Sequence, residues 1–140
     1  MSVPAVAIKS SVYVTAAEPQ LFVTDIRASC DFFAKKLGFA VVFAYGEPPF
    51  YAQVKRDGAR LNLRCVDTPV IDGARRVREQ LLSTAITVRS AREIDELYAE
   101  FETAGVTFHQ SPQRQAWGAI TFVVEDPDGN LLLFAAPADE

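Results

Sequence analysis

The chain has 140 residues, 49% of them apolar, with 14 Lys and Arg against 18 Asp and Glu and a formal net charge of −4. That length supports one domain with a real core and is short for two. The acidic balance, without a Lys/Arg stripe interleaved with aromatics, excludes nucleic acid as the expected partner; no apolar run approaches the roughly 20 residues of a spanning helix, which excludes a membrane, and residues 1–18 lack the marks of a signal peptide, which predicts a cytoplasmic protein.

Residues 1–17 read as an N-terminal extension, in which the alternation Ser11-Val12-Tyr13-Val14-Thr15 fits an added edge strand or no fixed structure. A first module spans 18–66. Its strand at 21–24 leads into a helix over 25–37, where Asp25 is the N-cap and Ile26, Cys30, Phe33, Ala34 and Leu37 recur at three- and four-residue spacing. Gly38 ends that helix, and strands follow at 39–44, 50–55 and 60–66. A connection over 67–82 carries Pro69, Gly73, Arg75, Arg76 and Arg78; its cations read as a solvated face, or as one group reaching an acidic ligand or a neighbouring chain.

The second module, 83–136, repeats the first, and 137–140 form a C-terminal tail. A strand at 84–88 precedes a helix opened by the capping box Ser90-Ala91-Arg92-Glu93, with Ile94, Leu97, Tyr98 and Phe101 as its apolar stripe and Gly105 as its stop. Strands at 107–109, 119–125 and 130–135 complete the unit, the last two joined by the turn Asp126-Pro127-Asp128-Gly129-Asn130. Cys30 and Cys65 lack metal-type spacing and sit on predicted core faces, which reads as two buried thiols.

Two duplicated units that each leave one sheet face uncovered imply a concavity between them. Side chains alternate across a strand, so sending Leu21, Val23, Leu61, Leu63, Ile86, Leu132 and Phe134 to the helices leaves Glu18, Gln20, Phe22, Arg60, Asn62, Arg64, Ser83, Leu131, Leu133 and Ala135 on the opposite faces. Such a surface, polar on three strands and apolar on the fourth, suits an organic ligand with a few hydrogen-bonding groups; the plain alternative is a one-sided sheet facing water.

The stretch Leu21-Phe22-Val23-Thr24-Asp25, then Phe32-Phe33 and Leu37-Gly38-Phe39, and later Trp117-Gly118 with Asp126-Pro127-Asp128-Gly129-Asn130, resembles the vicinal-oxygen-chelate superfamily of glyoxalases, extradiol dioxygenases and bleomycin-resistance proteins, and within it the bleomycin-resistance branch. The resemblance implies an α+β fold: paired βαβββ modules forming curved mixed sheets around a cleft, helices on the outer face, commonly completed in a homodimer. It also implies that metal-using members take four ligands from positions that here are Glu18, Asn62, Ser83 and Leu133. One carboxylate, a weak amide oxygen, a hydroxyl and a Leu do not make a divalent-metal site, so no metal and no other cofactor is expected.

The resulting expectation is a metal-free protein that captures a small molecule, possible drug sequestration included, with Asn62, Arg64 and Ser83 orienting the ligand and Phe22, Phe50, Trp117 and Leu133 packing against it. An alternative is a lyase, isomerase or dioxygenase, either with a metal on unusual ligands or with Glu18 and His109 as an acid–base pair; each of the two also reads as an ordinary surface or structural group. A second alternative is a dimeric interaction module with no ligand.

Overall fold

A computed structural model describes residues 10–138. Asp25 is extended (φ −148°) and its carboxylate accepts from the Ala28 amide at 3.1 Å, which opens helix α1 (Ile26–Asp31). The helix widens into a π-helical turn over Phe32–Lys36 that buries Phe33. Gly38 follows at φ +73°, and a Cβ there would stand 2.8 Å from Arg56 Nη1. Glycine is therefore what lets Arg56 reach the Leu37 carbonyl at 2.8 Å.

Strands β1 (Gln20–Val23), β2 (Ala40–Tyr45), β3 (Tyr51–Arg56) and β4 (Ala59–Cys65) form a sheet in the order β1-β4-β3-β2, with β1 parallel to β4 and the other pairs antiparallel. The second half repeats the arrangement. Strands β5 (Leu82–Thr87), β6 (Thr107–Arg114), β7 (Ile120–Glu125) and β8 (Leu131–Ala136) are ordered β5-β8-β7-β6, again with one parallel pair, β5 and β8. Its helix, α3 (Ala91–Thr103), is capped by Ser90 Oγ, which accepts from the Glu93 amide at 3.2 Å, while the Glu93 carboxylate reaches back to the Arg89 amide at 3.0 Å. The duplication, the helix caps and the α+β class are as the sequence implies.

Each helix covers the face of its own sheet opposite the polar positions, and the two covered faces then share one core. Leu21, Val23, Val54, Leu61 and Leu63 from the first sheet join Phe33 and Leu37, and the same cluster contains Ile94, Phe101, Phe122, Leu132 and Phe134. Phe122 and Phe134 stack at 5.3 Å, with the Phe101 ring edge-on at 5.2 Å to Phe134. Each such buried side chain contributes roughly 1.5–3 kcal/mol of transfer free energy. Polar contacts tie the halves as well: Arg56 pairs with Glu100 of α3 at 2.6 Å, and Lys36 Nζ donates to the Gly105 carbonyl at 3.1 Å.

Residues 11–15, read as an edge strand or as no fixed structure, form no strand, with Val12, Tyr13 and Val14 77%, 83% and 81% exposed, and four other expectations change. The rest of the N-terminal extension, 1–9, and the end of the tail, 139–140, lie outside the described residues. The connection contains a helix, α2 (Gly73–Glu79), capped by Asp72, whose carboxylate accepts from the Ala74 amide at 2.8 Å. Within it Arg75 and Arg78 are exposed as expected, but Arg76 is only 6% exposed, its Nη1 3.5 Å from the Asp128 carbonyl. Strand β6 runs on to Arg114 instead of stopping at His109, because two bulges and an edge position accommodate Pro112. Cys30 and Cys65 are free and only partly buried.

Candidate functional site

Alternation along β3 and β4 builds the outward face of the first sheet. Ala52, Val54, Leu61 and Leu63 go to the core, so Tyr51, Gln53 and Lys55 stand opposite Arg64, Asn62 and Arg60 in the antiparallel register. The parallel register of β1 sets Gln20 beside Asn62 and Phe22 beside Arg64. Gln53, only 8% exposed, is the centre of a hydrogen-bonded network. Its Nε2 donates to Glu18 Oε1 at 3.1 Å and to Asn62 Oδ1 at 2.9 Å, and its Oε1 accepts from Arg60 Nη1 at 2.9 Å. Every polar atom of this buried amide is satisfied, which fixes its rotamer and those of its neighbours.

The outward face of the second sheet is more apolar. Val123 and Leu133 are paired across β7 and β8, and Thr121 is the polar centre: its hydroxyl accepts from Gln115 Nε2 at 2.8 Å and donates to Gln110 Oε1 at 3.2 Å. Asn130 links the two halves. Its Nδ2 donates to the Phe22 carbonyl at 3.0 Å and to Asp126 Oδ2 at 2.9 Å, while its Oδ1 accepts from Ser83 Oγ at 3.1 Å. Burial pushes the Asp126 carboxyl up to about 6 against the downward pull of its bonds from Asn130 and Asp128.

Glu18, Phe22, Asn62 and Arg64 thus share one face, and Ser83 is joined to it through Asn130. Leu133 lies on the outward face of the other sheet. Trp117, 72% exposed, stands in the β6–β7 turn, where Gly118 adopts φ +99° and a Cβ would meet Ala138 at 2.8 Å. Phe50, 52% exposed, rests edge-on against Tyr45 at 5.6 Å. His109 is half-buried on β6, and no hydrogen bond or ion pair joins it to Glu18 among the described residues. The sequence reading passed over Gln53, although an amide flanked by Ala52 and Val54 in a strand is itself a sign of a polar position facing away from the core.

The positions where the resemblance implies a metal do not fit one. Glu18 and Asn62 are both held by Gln53, Ser83 donates to Asn130, and Leu133 has no donor atom. Among the described residues no group of three or more His, Cys, Asp or Glu side chains is placed to share an ion.

A cavity of about 950 Å3 lies elsewhere, on the helix side, between the β3–β4 turn, β5 and α3, with Leu61, Ile86, Phe101 and Phe134 among its lining residues. Of the residues that the sequence places on the outward faces, Arg60 also lines it; Glu18, Phe22, Phe50, Asn62, Arg64, Ser83, His109, Trp117 and Leu133 do not. Among its lining groups Arg56 is paired with Glu100 and Arg89 with Glu93.

Residues 13–134 match the model of the family described as the Glyoxalase/Bleomycin resistance protein/Dioxygenase superfamily. A bleomycin resistance protein of Geobacillus stearothermophilus is 34% identical over 127 residues, covering 83% of this chain and 92% of that protein. Among solved structures, a glyoxalase/bleomycin resistance protein/dioxygenase from Alicyclobacillus acidocaldarius superimposes with a TM-score of 0.72 at 22% identity, over 89% of this chain and 92% of that one. A bleomycin-binding protein complexed with bleomycin gives 0.70 at 21% identity, over 91% and 100%.

Proposed function

We infer the function from one premise: the chain belongs to the Glyoxalase/Bleomycin resistance protein/Dioxygenase superfamily. It is a small-molecule-binding protein of the drug-sequestering kind, and capture, not chemistry, is its role. The carrying observation is Gln53. Its amide Nε2 donates to Glu18 Oε1 and Asn62 Oδ1, at two of the four positions the resemblance offers to a metal, and ties them into a hydrogen-bonding floor. The bleomycin resistance relative and the bleomycin-binding structure support the same reading from outside.

In this reading Asn62, Arg64 and Ser83 orient the ligand, and Phe22, Phe50, Trp117 and Leu133 pack against it. The outward faces turn away from the shared core, so a second copy of the chain would close them into a cleft by setting the first sheet of one protomer opposite the second sheet of its partner. The exposure of Val41, Val42, Phe43 and Tyr45 along β2 supports such a homodimer, since an uncovered apolar edge strand favours association. No described helix is long and apolar enough to cross a membrane, which accords with the proposed cytoplasmic setting.

Equilibrium binding tests the role. The purified chain is titrated with a panel of peptide antibiotics, quinones and flavin-like aromatics; at least one saturable ligand is expected, recovered chemically unchanged. A panel with no saturable member would remove the binding role, and a ligand returned as product would replace it with catalysis.

A further inference from the structure

The outward face of the first sheet carries a charge that the rest of the chain does not share. Lys55 on β3 and Arg60 on β4 are directly opposite in the register, and Arg64 stands on the same face of β4. Like charges directly opposite across an antiparallel pair are destabilising, so this arrangement costs free energy unless something neutralises it. Nothing described does. The five ion pairs among the described residues are Lys35–Asp31, Arg56–Glu100, Arg75–Glu79, Arg89–Glu93 and Arg92–Glu96, all away from this face. The nearby carboxylates do not form an ion pair with these cations among the described residues: Glu18 Oε1 accepts from Gln53, and Asp57 lies in the β3–β4 turn. A chain with a formal net charge of −4 therefore presents a locally cationic surface at its candidate site.

The opposing surface would not compensate. The outward positions of β5 and β8 carry no charged side chain, and β7 has only Glu125 at its far end. Arg64 itself is exposed, makes no hydrogen bond or ion pair among the described residues, and is flanked in register by two aromatics, Phe22 on one side and Tyr51 on the other. Tyr51 extends that aromatic surface by stacking on Phe43 at 6.0 Å and 20°. A free guanidinium with aromatic side chains in register on either side is suited to a planar acid: the fork takes a carboxylate through two parallel N–H donors while the ring lies on the aromatics.

We propose that the ligand of this face is an aromatic carboxylate, bound through Arg64 with its ring against Phe22, Tyr51 and Phe43, in a field that Lys55 and Arg60 make attractive to anions. This rests on the binding role proposed above and narrows it, because a polycationic drug would meet three positive side chains. The floor supplied by Asn62 and Gln53 accepts a neutral polar edge of the same ligand.

Three probes of one shape separate the charge from the shape: naphthoate, the isosteric naphthamide, and naphthylmethylamine in its ammonium form, titrated into the full chain by calorimetry. Naphthoate is expected to bind saturably, about tenfold or more tighter than naphthamide, as one charge-assisted pair predicts, with the ammonium weakest. Raising the ionic strength to about 1 M, where the Debye length falls to about 3 Å, should weaken naphthoate and leave naphthamide unchanged. Arg64→Gln should cost naphthoate about tenfold and alter naphthamide less than twofold; Lys55→Gln, acting only through the field, should cost naphthoate less than Arg64→Gln does. Equal binding of acid and amide, a preference for the ammonium, or equal losses for both probes in Arg64→Gln would overturn the anionic class while leaving a binding protein. Failure of all three probes together with the wider antibiotic and quinone panel would remove the binding role itself; failure of the three alone, with other panel members bound, overturns this proposal only.

Discussion

The amide and the hydroxyl of Thr24 both donate to one carboxylate oxygen of Asp128, at 2.9 and 2.6 Å, although 104 residues separate them. This clasp fastens the end of β1 to the turn between β7 and β8, beside the bond from Asn130 to the Phe22 carbonyl. The face that carries Phe22 and Arg64 is thereby positioned by the opposite half of the chain.

Removing the clasp should loosen that docking. Asp128→Ala deletes two charge-assisted bonds at a partly exposed site, and a loss of about 1–2 kcal/mol is expected. The measurement is a fall in the urea midpoint at unchanged m-value. Thr24→Val deletes the hydroxyl bond alone, and the double variant should lose less than the sum of the two single ones, since both act on one contact. Strict additivity would contradict the clasp.

Because both halves contribute to one core, they should unfold together. Phe101 is fully buried and touches rings of the second sheet while lining the same cavity as Leu61 of the first. Phe101→Ala should cost about 3–5 kcal/mol. Far-ultraviolet dichroism and near-ultraviolet dichroism of the buried aromatic rings should still report one coincident transition. Two separated transitions would show that the halves are independent units.

What could be read in advance and what could not divide along one physical line. The caps Asp25 and Ser90, the stop at Gly38 and the turn at Asp126-Pro127-Asp128-Gly129-Asn130 are local: the residues that decide them lie within four positions of one another. Alternation placed Asn62 and Arg64 on one face for the same reason. The shared core, the Thr24–Asp128 clasp and the burial of Arg76 depend on contacts between distant segments, and no short window contains them. Helix α2 fell between these cases. Its cap at Asp72 and the Arg75–Glu79 spacing are local signals, but with Gly73 in the first turn and only seven residues in length they were outweighed by the linker-like composition around them. Gln53 was missed because its importance comes from three partners, Glu18, Arg60 and Asn62, that converge only once β1, β3 and β4 are paired.

The donor set at Glu18, Asn62, Ser83 and Leu133 predicts the outcome of metal loading. After incubation with nickel, zinc, manganese or iron and exhaustive dialysis, elemental analysis should find far less than one ion per chain. Retention of about one ion, lost in Glu18→Ala, would mean that Gln53 gives way and that a metal-dependent reading must be restored.

Trp117 is the single tryptophan of the chain and is 72% exposed, so its emission reports on the β6–β7 turn alone. If that turn closes over a bound ligand, saturation should shift the emission toward that of a buried indole and protect it from a soluble quencher. Trp117→Ala should weaken an aromatic ligand by about 0.5–1.5 kcal/mol, the worth of one aromatic pair. Unchanged emission at a saturating ligand concentration would place Trp117 outside the site.

Asp126 sets a pH dependence whose sign follows from its burial. It is 5% exposed, and desolvation raises its carboxyl to about 6, with Asp128 adding to the rise; the amides of Asn130 and Asp128, at 2.7 and 2.9 Å, and Asn130 Nδ2, at 2.9 Å, hold it back from rising further. In the unfolded chain an Asp titrates near about 3.9. Between those values the native state binds the proton that the unfolded state has released, so stability falls as pH rises. The contribution of Asp126 is fully present below about 4 and lost by the time pH has passed through about 6, an effect on the order of 3 kcal/mol. Asp126→Asn removes the titration. It also turns an amide donor toward Asn130 Nδ2, so the variant should be less stable at every pH, but without this slope. Urea midpoints of both proteins from about pH 4 to about pH 7 isolate the difference, since Glu93, held down to about 2 by its bonds from Arg89, titrates alike in both and cancels. A wild-type curve parallel to that of the variant across this window would mean that Asp126 stays ionised and that its three donors outweigh its burial.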